Sequence, residues 1–128
     1  MELRRALIFV KDLERMTAFY RDGLGLRLLT ETSSEGWVEF EAGGALIALH
    51  AIPTEISQKI DIADPPRARS QTPIKLVFET DDLEAACAQL VSQGALMSTL
   101  RSWGAYDGID PEGNVFQIVK KHGHLEGS

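Results

Sequence analysis

The sequence lacks the features that would set it apart from ordinary globular proteins. Its 128 residues include one cysteine, Cys87, so no disulfide can form within the chain and the cytoplasm is the expected location. The longest fully apolar runs, Ala6–Val10 and Ala45–Leu49 among them, have five residues, whereas a membrane-spanning helix needs about 20. We therefore expect no membrane partner, and no signal peptide at the start of the chain.

A concentrated positive charge is also missing. The chain has 13 basic and 19 acidic residues, for a net charge of −6. Its longest basic clusters are the pairs Arg4–Arg5 and Lys120–Lys121. Proteins that bind nucleic acid carry a basic face or stripe, because phosphate contacts supply most of the affinity. The charge pattern therefore argues against a nucleic-acid partner and favours a small-molecule ligand or another protein.

The sequence does contain an internal repeat. Asp12-Leu13-Glu14 returns as Asp82-Leu83-Glu84, at an offset of 70 residues. Both aspartates are good helix N-caps, and apolar residues at helical spacing follow each of them. A β-prone run precedes each helix and three more follow it. The predicted strands are 3–11, 26–32, 37–41 and 45–52 in the first half, and 74–79, 96–103, 105–109 and 115–121 in the second.

A β-α-β-β-β unit of about 50 residues is too small to hold a good core alone. We therefore predict one α+β domain in which two such modules form curved mixed sheets, each covered by a helix on one face, around a cleft. The modules are residues 3–52 and 73–121. Residues 53–72, rich in proline and charge, are a linker or a lid, and Ile56, Ile60 and Ile62 suggest that part of this segment packs down. Residues 122–128 are a flexible tail.

Two stretches resemble the vicinal oxygen chelate superfamily, which includes glyoxalase I, bleomycin and fosfomycin resistance proteins and extradiol dioxygenases. The opening run from Phe9 to Leu26, with Phe19-Tyr20 and Leu24-Gly25, is similar to the start of these proteins. The run from Asp110 to Ile118, which begins Asp-Pro-Glu-Gly-Asn, is similar to their last hairpin. The resemblance spans residues 3–121 and implies a glyoxalase-like fold, whereas fold alone does not fix function.

The resemblance also implies four positions that hold a divalent metal in the enzymes of this superfamily, usually as His, Glu or Gln. In this chain they are Arg5, Ala48, Lys75 and Gln117. Arginine is not deprotonated in proteins, lysine binds a metal only after losing its proton, and alanine has no donor atom. Since only Gln117 has a ligand atom, we expect no metal and no other cofactor.

Arg5 and Lys75 are instead candidates for ligand binding. If they face the cleft, their two positive heads would attract a carboxylate, phosphate or sulfate group. The alternative is that both residues simply reach water or pair with Glu39, Glu41 or Glu79.

Further candidates for the ligand site are polar or aromatic. His50 lies two residues beyond Ala48 on the same strand face, and it could act as a base or as a hydrogen-bond donor. Trp37, Trp103 and Tyr106 could line the cleft, although packing in the core or at an interface is the alternative. Cys87 is expected to be an ordinary core residue beside Leu83 and Leu90.

The sequence therefore predicts a metal-free small-molecule-binding protein of the bleomycin-resistance type, with a cleft that favours an anionic or aromatic ligand. The alternative is a lyase, isomerase or dioxygenase with a rearranged metal site using His50, Gln117 and Glu79 or Glu39; a third is an accessory dimer with a degenerate cleft. No catalytic residue is assigned.

We also expect a homodimer, because open sheets leave strand edges to be covered. The candidate interface residues are apolar or aromatic: Leu3, Trp37, Phe40, Trp103 and Tyr106. If the dimer shares its clefts, Arg5 of one chain lies near Lys75 of the other.

Overall fold

The computed structural model describes residues 2–69 and 74–121, and it divides the chain into two compact units, Met1–Ala63 and Asp64–Ser128. The division falls within the predicted linker. Ser70 to Pro73 and the predicted tail, 122–128, lie outside the described residues.

The first unit follows the predicted order of one strand, one helix and three strands. Its elements are β1 (Ala6–Val10), α1 (Leu13–Ala18), β2 (Arg27–Ser34), β3 (Trp37–Ala42), β4 (Ala45–Ala51) and the short α2 (Thr54–Ser57). α1 continues as a π-helical turn over Phe19–Gly23, so the helical segment ends at the predicted glycine.

The second unit repeats this order after the linker. Its elements are β5 (Leu76–Thr80), α3 (Leu83–Ser92), β6 (Leu96–Met97), β7 (Ala105–Ile109) and β8 (Val115–Lys120). The predicted strand 96–103 was too long, because only its first two residues pair with β7 and residues 98–104 form a loop. Arg5 and Lys75 were predicted inside strands, but each precedes its strand.

The two sheets have the same topology. The first has the strand order β1-β4-β3-β2 and the second β5-β8-β7-β6. In each, the strand before the helix pairs in parallel with the last strand, and the other pairings are antiparallel. The predicted α+β fold of two equivalent β-α-β-β-β modules is confirmed.

Both helices begin at the predicted N-caps. The side chain of Asp12 accepts a hydrogen bond from the backbone N of Arg15 at 3.0 Å, and that of Asp82 accepts one from the backbone N of Ala85 at 3.1 Å. Each cap satisfies a backbone N–H that has no partner within the helix. The repeat therefore preserves the start of the helix as well as the strand order.

The two faces of the first sheet differ in burial. Val10, Leu49 and Phe40 are fully buried on one face, where Tyr20 of the π-helical turn lies 6.4 Å from Phe40 between ring centroids. Phe40 was predicted as an interface residue; that is wrong, because it is part of this module's own core. The opposite face carries Leu7 and Phe9, which are exposed, and it belongs to the candidate site.

The turn between β7 and β8 is held by a buried carboxylate. Asp110 is fully buried, and its Oδ1 accepts hydrogen bonds from the backbone N of Glu112 and of Asn114, both at 2.9 Å. The side-chain amide of Asn114 donates to both carboxylate oxygens, at 3.1 and 2.9 Å. The predicted turn is therefore fixed by its first residue.

Part of the linker lies against this turn. The backbone N of Arg69 donates to the Gly113 carbonyl at 3.0 Å, and Arg69 Nε donates to the Glu112 carbonyl at 2.9 Å. Gly113 has a φ of +87°, and a Cβ there would lie 2.5 Å from the Arg67 carbonyl oxygen, so both the conformation and the close approach require glycine.

Ile56, which the sequence suggested would pack down, is exposed. None of the helices in the described ranges is long and apolar enough to span a membrane.

Candidate functional site

An ion pair lies on the face of the first sheet that carries the exposed residues Leu7 and Phe9. Arg5 Nε donates to Glu39 Oε2 at 2.6 Å, and their side chains are 33% and 5% exposed. Register explains the contact: Leu7 of β1, Ala48 of β4 and Glu39 of β3 are aligned across the sheet, so their side chains share one face.

Glu39 remains charged although it is buried. A hydrogen bond from the Thr32 side chain holds its pKa below the usual value, burial opposes that shift, and the Arg5 and Arg4 cations add to the lowering. The backbone N of Glu39 also donates to the Ser33 hydroxyl at 3.1 Å. Arg5 therefore pairs with Glu39, one of the alternatives that the sequence left open.

One aromatic side chain lies against this ion pair, and two further rings extend from it. The Arg5 guanidinium lies 5.5 Å from the centroid of the Trp37 ring, which is within the range of a cation–π interaction. The His50 ring lies 5.4 Å from that of Trp37 and 5.6 Å from that of Phe9. The structure thus brings together three predicted site residues, Arg5, Trp37 and His50, in the first unit.

The second sheet has a carboxylate with several donors. Asp107 Oδ1 accepts from Lys75 Nζ at 3.3 Å and from Gln117 Nε2 at 3.1 Å. Its Oδ2 accepts from Arg101 Nε at 3.1 Å. We call Lys75, Arg101, Asp107 and Gln117 the Asp107 cluster; it unites two predicted residues with two that the sequence analysis did not identify.

The Asp107 carboxylate is held in its ionised form. Partial burial raises its pKa, but the hydrogen bonds from Gln117, Arg101 and Lys75 outweigh that effect and the net shift is downward. With two cations and one carboxylate, the Asp107 cluster carries one excess positive charge near neutral pH.

The Asp107 cluster borders a cavity of about 670 Å³, which is within the size range of small-molecule sites. Lys75, Arg101 and Asp107 contribute to its wall, and most of the remaining lining is apolar: Ile74, Leu96, Met97, Ile109, Val115 and Phe116. Gly108 also lines it, and a Cβ there would lie 2.5 Å from Phe116 Cζ. A small molecule with an apolar part and a polar head matches this lining.

Two predicted site residues lie elsewhere. Tyr106 neighbours Asp107 in β7 and so points to the opposite face of the sheet, where it lines a second cavity of about 390 Å³ beside the start of α3. Trp103 is 68% exposed in the loop before β7. Neither lines the larger cavity.

Asp107 and Arg101 were not predicted from the sequence. Asp107 could have been found from β7 and β8 alone, because hairpin register places it opposite Gln117. Arg101 gave no usable signal, since it was assigned to a strand that ends at Met97. Cys87 is half-buried, and its pKa is raised by burial.

The residues present do not fit the metal site that the resemblance implies. Of the four positions, Arg5 and Lys75 are paired with carboxylates, Ala48 has only a methyl group, and the Gln117 amide donates to Asp107. Within residues 2–69 and 74–121, no group of three or more His, Cys, Asp or Glu side chains is arranged to hold a metal ion.

Several solved structures have the same fold. A glyoxalase/bleomycin resistance protein/dioxygenase family enzyme from Burkholderia phytofirmans PsJN has a TM-score of 0.73 and 21% identity, with 94% of this chain and 98% of that chain covered. A protein of unknown function from Agrobacterium tumefaciens C58 has a TM-score of 0.69 and 24% identity, with 95% of each chain covered. The fosfomycin resistance protein FosX from Mesorhizobium loti has a TM-score of 0.69 and 17% identity, with 94% and 92% covered.

At these identities the structures show the fold alone, and no curated protein matches the sequence. The family assignment comes from the Glyoxalase family model, described as Glyoxalase/Bleomycin resistance protein/Dioxygenase superfamily, which matches residues 2–118. The match covers most of the chain and agrees with the duplicated topology. The chain therefore belongs to the glyoxalase/bleomycin resistance protein/dioxygenase superfamily.

Proposed function

We propose that the protein is a metal-free small-molecule-binding protein of the glyoxalase/bleomycin-resistance type, with an anionic or aromatic ligand. The observation that carries the proposal is the cavity of about 670 Å³ in the second unit, with its apolar walls and the charged side chains of Lys75 and Arg101. Binding sites for small molecules combine these features: apolar lining supplies affinity and a few polar groups orient the ligand. The cytoplasm is its proposed location.

The ion pairs support binding without a metal. Two of the four implied metal positions hold the cations Arg5 and Lys75, and each cation is paired with a carboxylate. A divalent cation entering beside these groups would meet like charge and would have to displace them. The alternative function is a lyase, isomerase or dioxygenase with a rearranged metal site. It would need metal-binding residues at other positions of the chain.

Filling the cavity should weaken binding. Leu96 is partly exposed at the cavity wall, so Leu96→Trp places a larger side chain there without disturbing the buried core. We expect this variant to bind the neutral fluorescent probe N-phenyl-1-naphthylamine at least about tenfold more weakly than the wild type, a change of about 1.4 kcal/mol. Fluorescence titration gives both affinities.

The matched control is Ile56→Trp, because Ile56 is 54% exposed and does not line the cavity. It should bind the probe as the wild type does. Unchanged binding in Leu96→Trp would overturn the proposed site. A stoichiometric metal that survives dialysis against a weak chelator would instead favour the enzyme.

The protein is also proposed to be a homodimer. A residue of a dimer interface must be exposed in the isolated chain, and Leu3 and Trp103 meet this requirement. Phe40 is buried and is therefore removed from the predicted interface residues. An obligate interface should bury at least about 2,000 Å² in total. Light scattering should give about twice the 14.1 kDa mass of one chain, and Trp103→Glu should lower that value; a monomer at micromolar concentration would contradict the proposal.

A further inference from the structure

The ion pairs of the two units are equivalent in the repeat. Glu39 is aligned with Ala48 in the first sheet, and Asp107 is aligned with Gln117 in the second. Ala48 and Gln117 are in turn aligned with the second residue of β1 and of β5. Each carboxylate is thus at the same place in its module, and each is paired with the residue that precedes the first strand.

The first pair is the more buried of the two and carries no excess charge. Glu39 is buried beneath Arg5, and Arg5 also lies over the Trp37 ring. One cation and one carboxylate leave no net charge in the pair. We therefore do not assign an anion site to the first unit, although Arg5 and Lys75 were equal candidates on the sequence alone.

The second pair is more exposed to solvent than the first, and it has an additional cation. The side chains of Lys75, Arg101 and Asp107 are 45%, 43% and 28% exposed. All three line the cavity, and their charges sum to one positive charge. A monoanion would neutralise this excess, whereas a dianion would bring a second negative charge close to Asp107.

Arg101 has unused hydrogen-bond donors. In the described part of the chain, its guanidinium contacts Asp107 through Nε, which leaves both terminal nitrogens available to another acceptor. Asp107 fixes the guanidinium at the cavity wall before a ligand arrives. A carboxylate matches the paired N–H groups of a guanidinium, and such charge-assisted bonds are stronger than neutral ones.

We propose that the Asp107 cluster binds the carboxylate of an amphipathic monoanion whose apolar body fills the cavity, with Arg101 as the residue that determines specificity. This inference rests on the proposed function and adds the chemical class of the ligand. Lys75 supplies positive charge, Arg101 supplies positive charge and geometry, and Asp107 orients both cations and disfavours dianions.

A matched set of probes tests the assignment by isothermal titration calorimetry of the whole protein. 4-Phenylbutyrate carries the carboxylate, 4-phenylbutyramide is its neutral counterpart, and 2-phenylethyl phosphate is a dianion above neutral pH. The wild type should bind the carboxylate at least about tenfold more tightly than the amide, because the amide cannot form charge-assisted hydrogen bonds with the guanidinium, and more tightly than the phosphate.

Three variants locate the effect. Arg101→Gln should lose the preference for carboxylate over amide while its affinity for the amide stays unchanged, and Arg101→Lys should keep part of the preference. The control is Arg27→Gln, which makes the same charge change on the first sheet, where Arg27 pairs with the exposed Glu41. It should behave as the wild type.

The possible failures are distinguishable. If the amide binds as tightly as the carboxylate, or if Arg101→Gln keeps the preference, the carboxylate site is overturned and the proposed function stands. If the phosphate binds most tightly, the assignment to a monoanion is overturned. If all three probes and N-phenyl-1-naphthylamine fail to bind, both this inference and the proposed function are overturned.

Discussion

Replacing Asp110 with alanine should destabilise the protein by at least about 3 kcal/mol. The side chain is fully buried and accepts hydrogen bonds from the backbone N of Glu112 and of Asn114 and from the Asn114 amide. A hydrogen bond to a charged group contributes about 1.5–3 kcal/mol, and each buried donor left without a partner costs a further 1–3 kcal/mol. Urea denaturation followed by circular dichroism measures the loss.

The control for this substitution is Asp61→Ala, at an exposed position of the linker. We expect it to stay within about 0.5 kcal/mol of the wild type, as is usual for surface substitutions. Asp110→Asn should lie between the two, because its amide oxygen accepts the backbone hydrogen bonds without the charge. A loss below about 1 kcal/mol in Asp110→Ala would show that the buried carboxylate does not fix the turn.

Arg5→Leu should cost about 2–3 kcal/mol at neutral pH. Removing one member of a buried ion pair costs about 3–5 kcal/mol, because the other charge is left in a dry environment. Arg5 is one-third exposed, so we place the expected loss below that range. The control is Arg27→Leu, whose partner Glu41 is exposed and whose loss should be no more than about 1 kcal/mol.

The pH dependence separates loss of charge pairing from loss of packing. The pKa of Glu39 is lowered from its ordinary value of 4.5, so its contribution to stability is present above pH 4.5 and is lost as pH falls through the folded-state value. Without Arg5, the pKa of Glu39 is lowered less. The difference in unfolding free energy between the wild type and Arg5→Leu should therefore narrow as pH falls below about 4.5. A constant difference from pH 7 to pH 3 would assign the whole effect to packing.

The sequence predicted the fold wherever local signals and the repeat agreed. Asp12 and Asp82 mark the helix starts, since an N-cap depends on residues within three positions of it. The strand predicted over 96–103 failed for a non-local reason. The regular ladder with β7 covers Leu96 and Met97. Beyond it, the backbone N of Ser98 and of Arg101 each donate one further hydrogen bond to β7, and the chain turns at Gly104, which has a φ of +86°.

The candidate site was predicted only in part, because a cross-strand partner depends on register. Arg5 and Lys75 were found from their places in the repeat, and Glu39 was one of three acidic partners considered. Asp107 required the alignment of β7 with β8. Arg101 required the course of a loop, which no periodic pattern encodes. The Arg5–Glu39 pair is buried, whereas the Lys75–Asp107 pair is more exposed and has a second cation, Arg101, beside it. Neither burial nor this second cation could be predicted from the sequence.

During synthesis, β1 emerges well before the strand that it pairs with. Val10 is aligned with Ala51, so at about 5–20 residues per second the apolar segment waits roughly 2–8 s for its partner. Through that interval Leu7 and Phe9 belong to an unpaired strand, the type of segment that promotes aggregation.

Charged residues adjoin this apolar run on both sides, with Arg4 and Arg5 before Ala6 and Lys11 after Val10. Such flanking charges oppose association of nascent chains. Lys75 precedes β5 in the same way, and β5 also waits for its partner, because Thr80 is aligned with Lys120. The cations that later pair with Glu39 and Asp107 thus first protect strands that have no neighbour.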